Sequence, residues 1–427
     1  MPDKVENGYI YMTKNAKRII AIVALSLTGA ATLLPAKAAD ANPINIGIVM
    51  PLTGSLGLLG KETLNGMEVA RTLINAAGGV KGRKIVYKIS DAPTAADATT
   101  VAGSLSTDDS ISLIMGSYSS SIAIPASAVA SRNKKLFWEA GGASPVITNR
   151  GLPYVYRTLV NVGMPAYTSA TGYLMDTIIP TALKKKVKDV RYGLVYEDGA
   201  YGTSGNTAFK AIIAAGGYNL VASETYSAAS SDLSSVIQKL KSANIDVLVS
   251  YPAGADAILF TRQSKTLGFN PKLTIGQGAA YSSVDFGAAL GSYADGILVA
   301  DAVALNPSSA KLSPAMSPSY PRFIAAYTKQ IGRKPLTHAT LGYVGAMTLF
   351  QEVLAKSTPG DLDSMVEAIK KIDIPDGGTV ATWGIKFDST GQNTRAGWYI
   401  MQYQGGKLVS VYPNTYSTGS IRKVIAK

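Results

Sequence analysis

The sequence predicts an α/β protein made of two doubly wound parallel-sheet lobes. Short apolar runs alternate with amphipathic stretches of helical period, a pattern that predicts parallel sheets covered by helices on both faces. The alternation restarts near residue 160, and 427 residues are enough for two domains. Hydrophobic residues make up 47% of the chain, which argues for packed cores and against disorder.

The first unit opens with an apolar run at 44–50, predicted as a buried strand before a glycine-rich loop at 52–60. An amphipathic helix over 62–77 should end at the glycine pair 78–79, which suits a helix C-cap. The same alternation predicts strand 84–90, helix 95–106, strand 111–115, helix 122–132 and strand 136–138.

The second unit repeats this order of apolar runs and periodic stretches. It predicts helix 166–179, strand 190–196, helix 202–215, strand 218–226, helix 233–243, strand 247–251, helix 256–267 and strands 272–276 and 296–303. Three further helices are expected at 319–331, 340–357 and 362–372. The chain should finish as a strand pair, 397–403 and 408–412, around the turn Gly405–Gly406.

Residues 1–38 have the pattern of a secretory signal peptide. Lys17 and Arg18 precede an uncharged run over 19–34, and an Ala-Lys-Ala triplet follows at 36–38. Basic, apolar and small-residue regions in this order are typical of a cleaved signal, and the run is short for a membrane span. We therefore expect export to the periplasm. No cysteine is present to carry a lipid anchor.

Composition argues against an enzyme. With no cysteine and one histidine, His338, the chain lacks the usual partners for a metal site or a nucleophile–base pair. The first loop matches neither a phosphate-binding loop nor a dinucleotide fingerprint, because its glycines stand at 54, 57 and 60. We expect no catalytic residue, no metal and no cofactor. His338 is expected at the surface or in a helix cap.

The formal net charge of +13 raises the question of a nucleic-acid partner. The densest basic cluster, 184–188, has no interleaved aromatic residues on which bases could stack. A solvated helix end explains this cluster better. We expect no nucleic-acid binding, and the charge bears mainly on solubility.

Candidate binding residues follow two strands of the first unit. Ser119 and Ser120 stand where strand 111–115 leads into a helix, so they could bind a carboxylate or merely cap the helix. After the next strand, Gly141 and Gly142 would let a ligand approach the backbone. Open parallel sheets bind ligands at the carboxyl ends of their strands, where both loops are expected.

A second group of candidates lies in the second unit. Tyr201 falls between a strand and a helix, Tyr251 ends a strand, and Gln277 follows the next one. A tyrosine offers an apolar ring and a hydroxyl, which suit closure over a small molecule, although each could equally pack locally. Together they would form a wall facing the first group.

The order and spacing of these segments resemble the periplasmic leucine/isoleucine/valine-binding protein family, the type I solute receptors of ABC importers. The resemblance covers about 45–412. It is carried by Ile-Gly-Ile at 46–48, Leu-Thr-Gly at 52–54, Asn-Ala-Ala-Gly-Gly-Val-Lys-Gly at 75–82, the serine run after Gly116, Tyr-Val-Tyr-Arg-Thr at 154–158, Asp198 with Tyr201-Gly202, and Asn-Ile-Asp at 244–246.

The resemblance implies a ligand site at the first group of residues. Ser120 aligns with the serine that binds a ligand carboxylate, and Gly141 with a residue that binds through its backbone. Ala143 stands where the family usually has threonine or serine, so that hydroxyl is lost unless Ser144 replaces it.

The second group matches less closely. Tyr201 aligns with the family's clamp tyrosine, Tyr251 lies near a second tyrosine, and Leu59 matches a side-chain pocket position that is often aromatic. Gln277 stands where amino-acid-binding relatives often have an acid that pairs with the ammonium group. Either Glu139 supplies that charge, or the ligand lacks an amine.

The resemblance also implies two lobes, 44–160 with 300–390 and 161–299 with 391–427, joined by a three-segment hinge. The expected function is to capture a small carboxylate ligand of the branched-chain amino acid type and deliver it to an ABC permease in the inner membrane. The alternatives are an amine-free aliphatic or aromatic acid, an amide, or a ligand sensor for a signalling system.

Overall fold

Two mostly parallel sheets organise the described residues of this computed structural model, which are 42–305, 307 and 319–422. The predicted signal peptide lies outside the described residues. In the described part of the chain, no helix combines the length and the apolar character needed to cross a membrane.

The first sheet has five parallel strands in the order β2-β1-β3-β4-β5. Its strands and the helices between them are β1 (Ile44–Met50), α1 (Gly57–Ala76), β2 (Ile85–Asp91), α2 (Ala95–Thr107), β3 (Ile111–Gly116), α3 (Ser120–Arg132), β4 (Phe137–Glu139) and β5 (Val155–Arg157). Apart from the edge strand β2, the strands are apolar and largely buried, as expected for a sheet covered on both faces.

The second sheet has seven strands. The elements after β5 are α4 (Pro165–Tyr173), α5 (Ile179–Leu183), β6 (Arg191–Glu197), α6 (Ala200–Gly216), β7 (Asn219–Tyr226), α7 (Ser234–Ser242), β8 (Val247–Tyr251), α8 (Asp256–Thr266), β9 (Leu273–Gln277), α9 (Val284–Leu290), β10 (Leu298–Asp301), α10 (Ser319–Ile331), α11 (Thr337–Thr348), α12 (Leu362–Lys370), β11 (Tyr399–Gln404) and β12 (Lys407–Tyr412). The strand order is β12-β11-β10-β9-β8-β6-β7, and only the pairings of β11 are antiparallel.

The predicted fold class is confirmed, and most predicted elements lie within a few residues of the observed ones. Helix α1 begins at Gly57, inside the predicted loop, because Gly57 and Gly60 allow close contact with the backbone of Leu52 and Pro51. The predicted helix 166–179 is α4, a π-helical turn and α5. The short strand β5 was not predicted.

The chain passes between the two sheets three times. It leaves the first sheet after β5, and after β10 it returns to pack α11 against α1. It then re-enters the second sheet at β11. The exact lobe boundaries near 160, 300 and 390 remain predictions.

Helices α1 and α11 cross at a contact that requires glycine on both sides. A Cβ on Gly342 would lie 2.0 Å from the carbonyl oxygen of Thr63, and one on Gly66 would lie 1.9 Å from that of Ala339. Since neither partner atom is a flexible side chain, a methyl group at either position would force the helices apart.

We therefore expect Gly342→Ala to lower the free energy of unfolding by about 2 kcal/mol, measured by urea denaturation. Gly103→Ala is the matched control, because a Cβ there meets open space within α2. That substitution should leave the stability unchanged or raise it by up to about 1 kcal/mol, the gain in helix propensity. Equal effects of the two variants would argue against a close helix crossing.

Candidate functional site

A cavity of about 410 Å³ lies where strands of both sheets end. This volume is within the usual range of small-molecule sites. Its wall includes residues at or just after the carboxyl ends of six strands, the location at which open α/β sheets bind ligands. These residues are Ser119, Ser120, Gly141, Tyr201, Ala253, Gly278, Ala279, Asp301 and Ala302.

The start of α3 forms one side of the cavity. Ser119 precedes the helix and makes no side-chain capping hydrogen bond, although capping was one expectation for this serine. The Oγ of Ser120 accepts a hydrogen bond from the Ser144 N–H at 3.0 Å and donates to no described residue. The hydroxyl proton of Ser120 and the first N–H groups of the helix are therefore available to an anionic group.

Two buried charges support the loop beside α3 from behind. Glu139 accepts hydrogen bonds from the N–H groups of Ser117, Gly141 and Gly142, each at 2.7 Å. Burial raises the pKa of Glu139 to about 7. Because its two oxygens are taken up by the backbone, Glu139 positions the loop and does not line the cavity.

Arg157, at the end of β5, is the second of these charges. Its guanidinium donates to the carbonyls of Gly142 and Ser144, and to the side chains of Thr148 and Gln392. Burial lowers the pKa of Arg157 to about 9. The arginine thereby ties the loop after β4 to the segment that leads into β11.

Helix α6 begins on the other side of the cavity. The carboxylate of Glu197 accepts hydrogen bonds from the N–H groups of Gly199 and Gly202, and burial raises its pKa to about 6. Tyr201 lines the cavity and donates its hydroxyl to the backbone oxygen of Gln277 at 2.8 Å. Tyr251 lies edge-on to the Tyr201 ring, with centroids 5.9 Å apart.

The two sides of the cavity touch each other directly. Tyr118 donates its hydroxyl to the Ala253 carbonyl, and the Ser121 Oγ accepts from the Ala200 N–H at 3.1 Å. The hydroxyl oxygens of Ser144, after β4, and Ser204, on α6, lie 2.8 Å apart. These contacts join residues after β3 and β4 to residues after β6 and β8, so they hold the cavity shut.

The structure brings some of the predicted site residues together and not others. Five of them line the cavity, namely Ser119, Ser120, Gly141, Ala143 and Tyr201. Six lie near it without forming its wall, namely Leu59, Glu139, Gly142, Ser144, Tyr251 and Gln277. The amide of Gln277 is buried, and neither its oxygen nor its nitrogen has a hydrogen-bond partner among the described residues.

Sequence reasoning missed several buried wall residues, among them the polar or aromatic residues Tyr118, Glu197, Asp301, His338 and Trp398. The expectation that His338 lies at the surface or in a cap is wrong, because it packs against Ala279, Ser282 and the Tyr118 ring and is only 5% exposed. A signal for Asp301 was available, since it is a lone acid within an apolar strand.

Asp301 and His338 share one end of the cavity. The Asp301 carboxylate accepts hydrogen bonds from the Ser282 hydroxyl and the Ala302 N–H, and burial raises its pKa. His338 places its Nε2 3.1 Å from the Ala279 carbonyl, and the Tyr118 ring meets the imidazole edge-on. This end of the cavity is therefore polar but enclosed.

Two α/β sheets with a shut cavity at their strand ends define the type I periplasmic binding class. The chain belongs to the family described as "Periplasmic binding protein", whose sequence model matches residues 43–407.

Two curated relatives match along nearly the whole chain. The Leu/Ile/Val-binding protein homolog 8 of Brucella abortus is 34% identical over 409 residues, covering 95% of this chain and 98% of the relative. The Leu/Ile/Val-binding protein homolog 7 of Brucella suis is also 34% identical, covering 94% and 98%.

Solved structures agree in fold. The substrate-binding protein LivJ of Streptococcus pneumoniae, in complex with isoleucine, has a TM-score of 0.71 at 19% identity, covering 86% of this chain and 97% of LivJ. A solute-binding protein of Rhodopseudomonas palustris, in complex with 3,4-dihydroxybenzoic acid, has a TM-score of 0.70 at 23% identity, covering 86% and 95%. At these identities the likeness extends to the fold alone.

Proposed function

We propose that this protein is the extracytoplasmic receptor of an ABC importer and binds a small carboxylate-bearing solute in the cavity described above. The observation that carries the proposal is the shut cavity itself, with the free hydroxyl of Ser120 and the N-terminus of α3 in its wall. A helix N-terminus attracts a carboxylate because its N–H groups and dipole favour negative charge.

The proposed cycle is capture, closure and delivery. The hydrogen bonds of Tyr118 and Ser121 across the cavity exist only when its two sides meet. A ligand that contacts both sides would bind the shut form more tightly than the open form, and this difference in affinity would stabilise the shut form. A permease that recognises the shut form would then receive loaded receptors.

The ligand class follows from the relatives only as a proposal. The curated relatives are named for leucine, isoleucine and valine, which favours an aliphatic amino acid. A structural neighbour that holds 3,4-dihydroxybenzoic acid keeps an amine-free aromatic acid as the second candidate. A thermal-shift screen of the protein without residues 1–38 separates them, because the melting temperature rises with ligand concentration over Kd.

A non-catalytic role is part of the proposal. The one histidine in the cavity wall, His338, bonds to the backbone of Ala279 and has no serine poised as a nucleophile, its nearest hydroxyl being that of Ser282 at 3.5 Å. Ser282 itself donates to Asp301, so this group holds a carboxylate in place. Incubation of a bound ligand with the protein should return it chemically unchanged.

Import and sensing begin with the same binding step, so an experiment in cells is needed to distinguish them. If the protein serves an importer, deleting it should abolish uptake of the ligand found in the screen. Unchanged uptake together with a lost transcriptional response to that ligand would instead establish the sensor alternative.

The site itself is tested by two substitutions. Ser120→Ala removes the free hydroxyl, and Tyr201→Ala removes a ring from the opposite wall, so each should weaken binding of the screened ligand at least about tenfold. Titration calorimetry measures the affinities, and unliganded melting curves check folding. Ser104→Ala, an exposed serine on α2, is the control. Unchanged affinity in both variants would place the site elsewhere.

A further inference from the structure

We infer that Asp301, assisted by His338, binds a positively charged nitrogen group of the ligand, so that the receptor selects amine-bearing solutes over amine-free acids. The inference rests on the proposed function, since it takes the cavity to be the ligand site. Asp301 was not among the binding residues predicted from the sequence patterns or from the resemblance.

Asp301 is a carboxylate enclosed at the cavity wall. It is the last residue of β10, it is 4% exposed, and it lines the cavity together with its neighbour Ala302. The partners of its two oxygens are the Ser282 hydroxyl and the Ala302 N–H. Each carboxylate oxygen can accept two hydrogen bonds, so each retains one free position.

No lysine or arginine offsets the charge of this carboxylate within the described part of the chain, and the charge interaction with His338 lowers the Asp301 pKa by less than burial raises it. Asp301 forms no ion pair there with lysine, arginine or histidine, and no lysine or arginine belongs to the described wall of the cavity. A buried carboxylate is costly unless a positive group and hydrogen bonds compensate it. A ligand ammonium group would supply the missing charge.

His338 adds a second acceptor at the same end. The Ala279 carbonyl can only accept, so the hydrogen bond between them requires Nε2 of His338 to carry a proton. In the neutral imidazole Nδ1 is then an acceptor, and it has no partner among the described residues. Asp301 and His338, both in the wall at this end, therefore keep acceptor capacity that no described residue uses, which suits a group rich in N–H donors.

The other acids near the cavity suit this role less well. Glu197 lines the cavity, but its oxygens accept N–H groups at the start of α6, where the helix dipole already stabilises a negative charge. Glu139 is bonded to its own loop and does not line the cavity. Asp198 lines the cavity but is exposed, so water competes for it. Asp301 is the enclosed acid of the described wall whose charge is offset neither by a helix N-terminus nor by a lysine or arginine.

Matched ligand pairs test the inference on the unmodified receptor. L-Leucine and 4-methylpentanoate share a carbon skeleton and a carboxylate and differ in the amine, as do L-phenylalanine and 3-phenylpropanoate. Calorimetry should show an amino acid bound at least about a hundredfold more tightly than its amine-free partner, because a site built for hydrogen bonds rejects an analogue that lacks them. Equal affinity within a pair overturns the inference while leaving the proposed function intact.

Two variants assign the selectivity to residues. Asp301→Asn keeps the volume and an oxygen for Ser282, and should weaken amino acid binding at least about tenfold with little effect on the amine-free partner. His338→Phe keeps a ring and removes the acceptor, and should act in the same direction if Asp301→Asn does not fold. Asp285→Asn, an exposed acid on α9, is the charge-matched control.

The remaining outcomes are decisive as well. Retained selectivity in a folded Asp301→Asn protein would show that another group binds the amine, which contradicts the inference. If Asp285→Asn lost as much affinity as Asp301→Asn, the loss would follow from the change in net charge, which also contradicts the inference. Absence of binding by all four probes and by the wider screen would overturn the inference and the proposed function together.

Discussion

Replacing Arg157 with methionine should lower the free energy of unfolding by about 3–5 kcal/mol, because it breaks a buried hydrogen-bond network and leaves several acceptors unsatisfied at about 1–3 kcal/mol each. Arg157 is fully buried, and its guanidinium serves two backbone carbonyls and two side chains. Methionine fills similar space but leaves those acceptors without donors inside the protein. Each such buried, unpaired group costs stability.

The same substitution should also weaken ligand binding. The carbonyls of Gly142 and Ser144, which Arg157 holds, belong to the loop whose other residues Gly141 and Ala143 line the cavity. Without the guanidinium this loop loses its attachment to Gln392, and the Ser144 N–H loses its fixed position against Ser120. Urea denaturation and calorimetry on one preparation measure both effects.

Two further variants give this prediction its controls. Arg157→Lys keeps the positive charge but not the planar fork of donors, so it should recover only part of the lost stability. Arg132→Met removes an exposed arginine from the end of α3 and should change stability by about 0.5 kcal/mol or less. A fully stable Arg157→Lys variant would show that charge alone matters at this position.

The fold could be predicted from the sequence because its signals are local. The run Ile44–Met50 and the stretches that became α2 and α6 carry their period and their end signals within themselves. Strand β5 has only three residues and pairs along its length with β4, so its existence depends on a neighbour that its own sequence does not specify.

The cavity could be predicted only in part for the same reason. Ser120, Gly141 and Tyr201 follow strands or begin helices, so a rule about strand ends finds them. In the sequence, Asp301 belongs to an apolar strand. Its place in the cavity wall depends on β9, β11 and the distant helix α11. Glu139 ends a strand too, but its hydrogen bonds to the backbone of the loops after β3 and β4 occupy it behind the cavity wall.

Glu139 should make the stability of the protein depend on pH in a direction opposite to that of most carboxylates. Burial raises its pKa from 4.5 to about 7, so between these values the folded state binds a proton that the unfolded state has lost. Stability rises with pH only where the unfolded state binds more protons, so the Glu139 contribution falls as the pH rises through this window.

The comparison with Glu139→Gln isolates this effect, because other titrating groups are common to both proteins. As the pH rises from 5 to 7.5, the wild type should lose up to about 3 kcal/mol relative to the variant, since one pKa unit corresponds to about 1.4 kcal/mol. Urea denaturation at several pH values in this range measures the difference.

Glu367→Gln provides a control, because the pKa of Glu367 is lowered in the folded protein whereas that of Glu139 is raised. Its hydrogen bond and charge interaction with Lys370 lower the pKa of Glu367, so its titration lies below pH 5 in both the folded and the unfolded state. The difference between this variant and the wild type should therefore stay constant from pH 5 to 7.5. A difference that is also constant for Glu139→Gln would mean that the backbone N–H groups keep Glu139 ionised in the folded protein despite its burial.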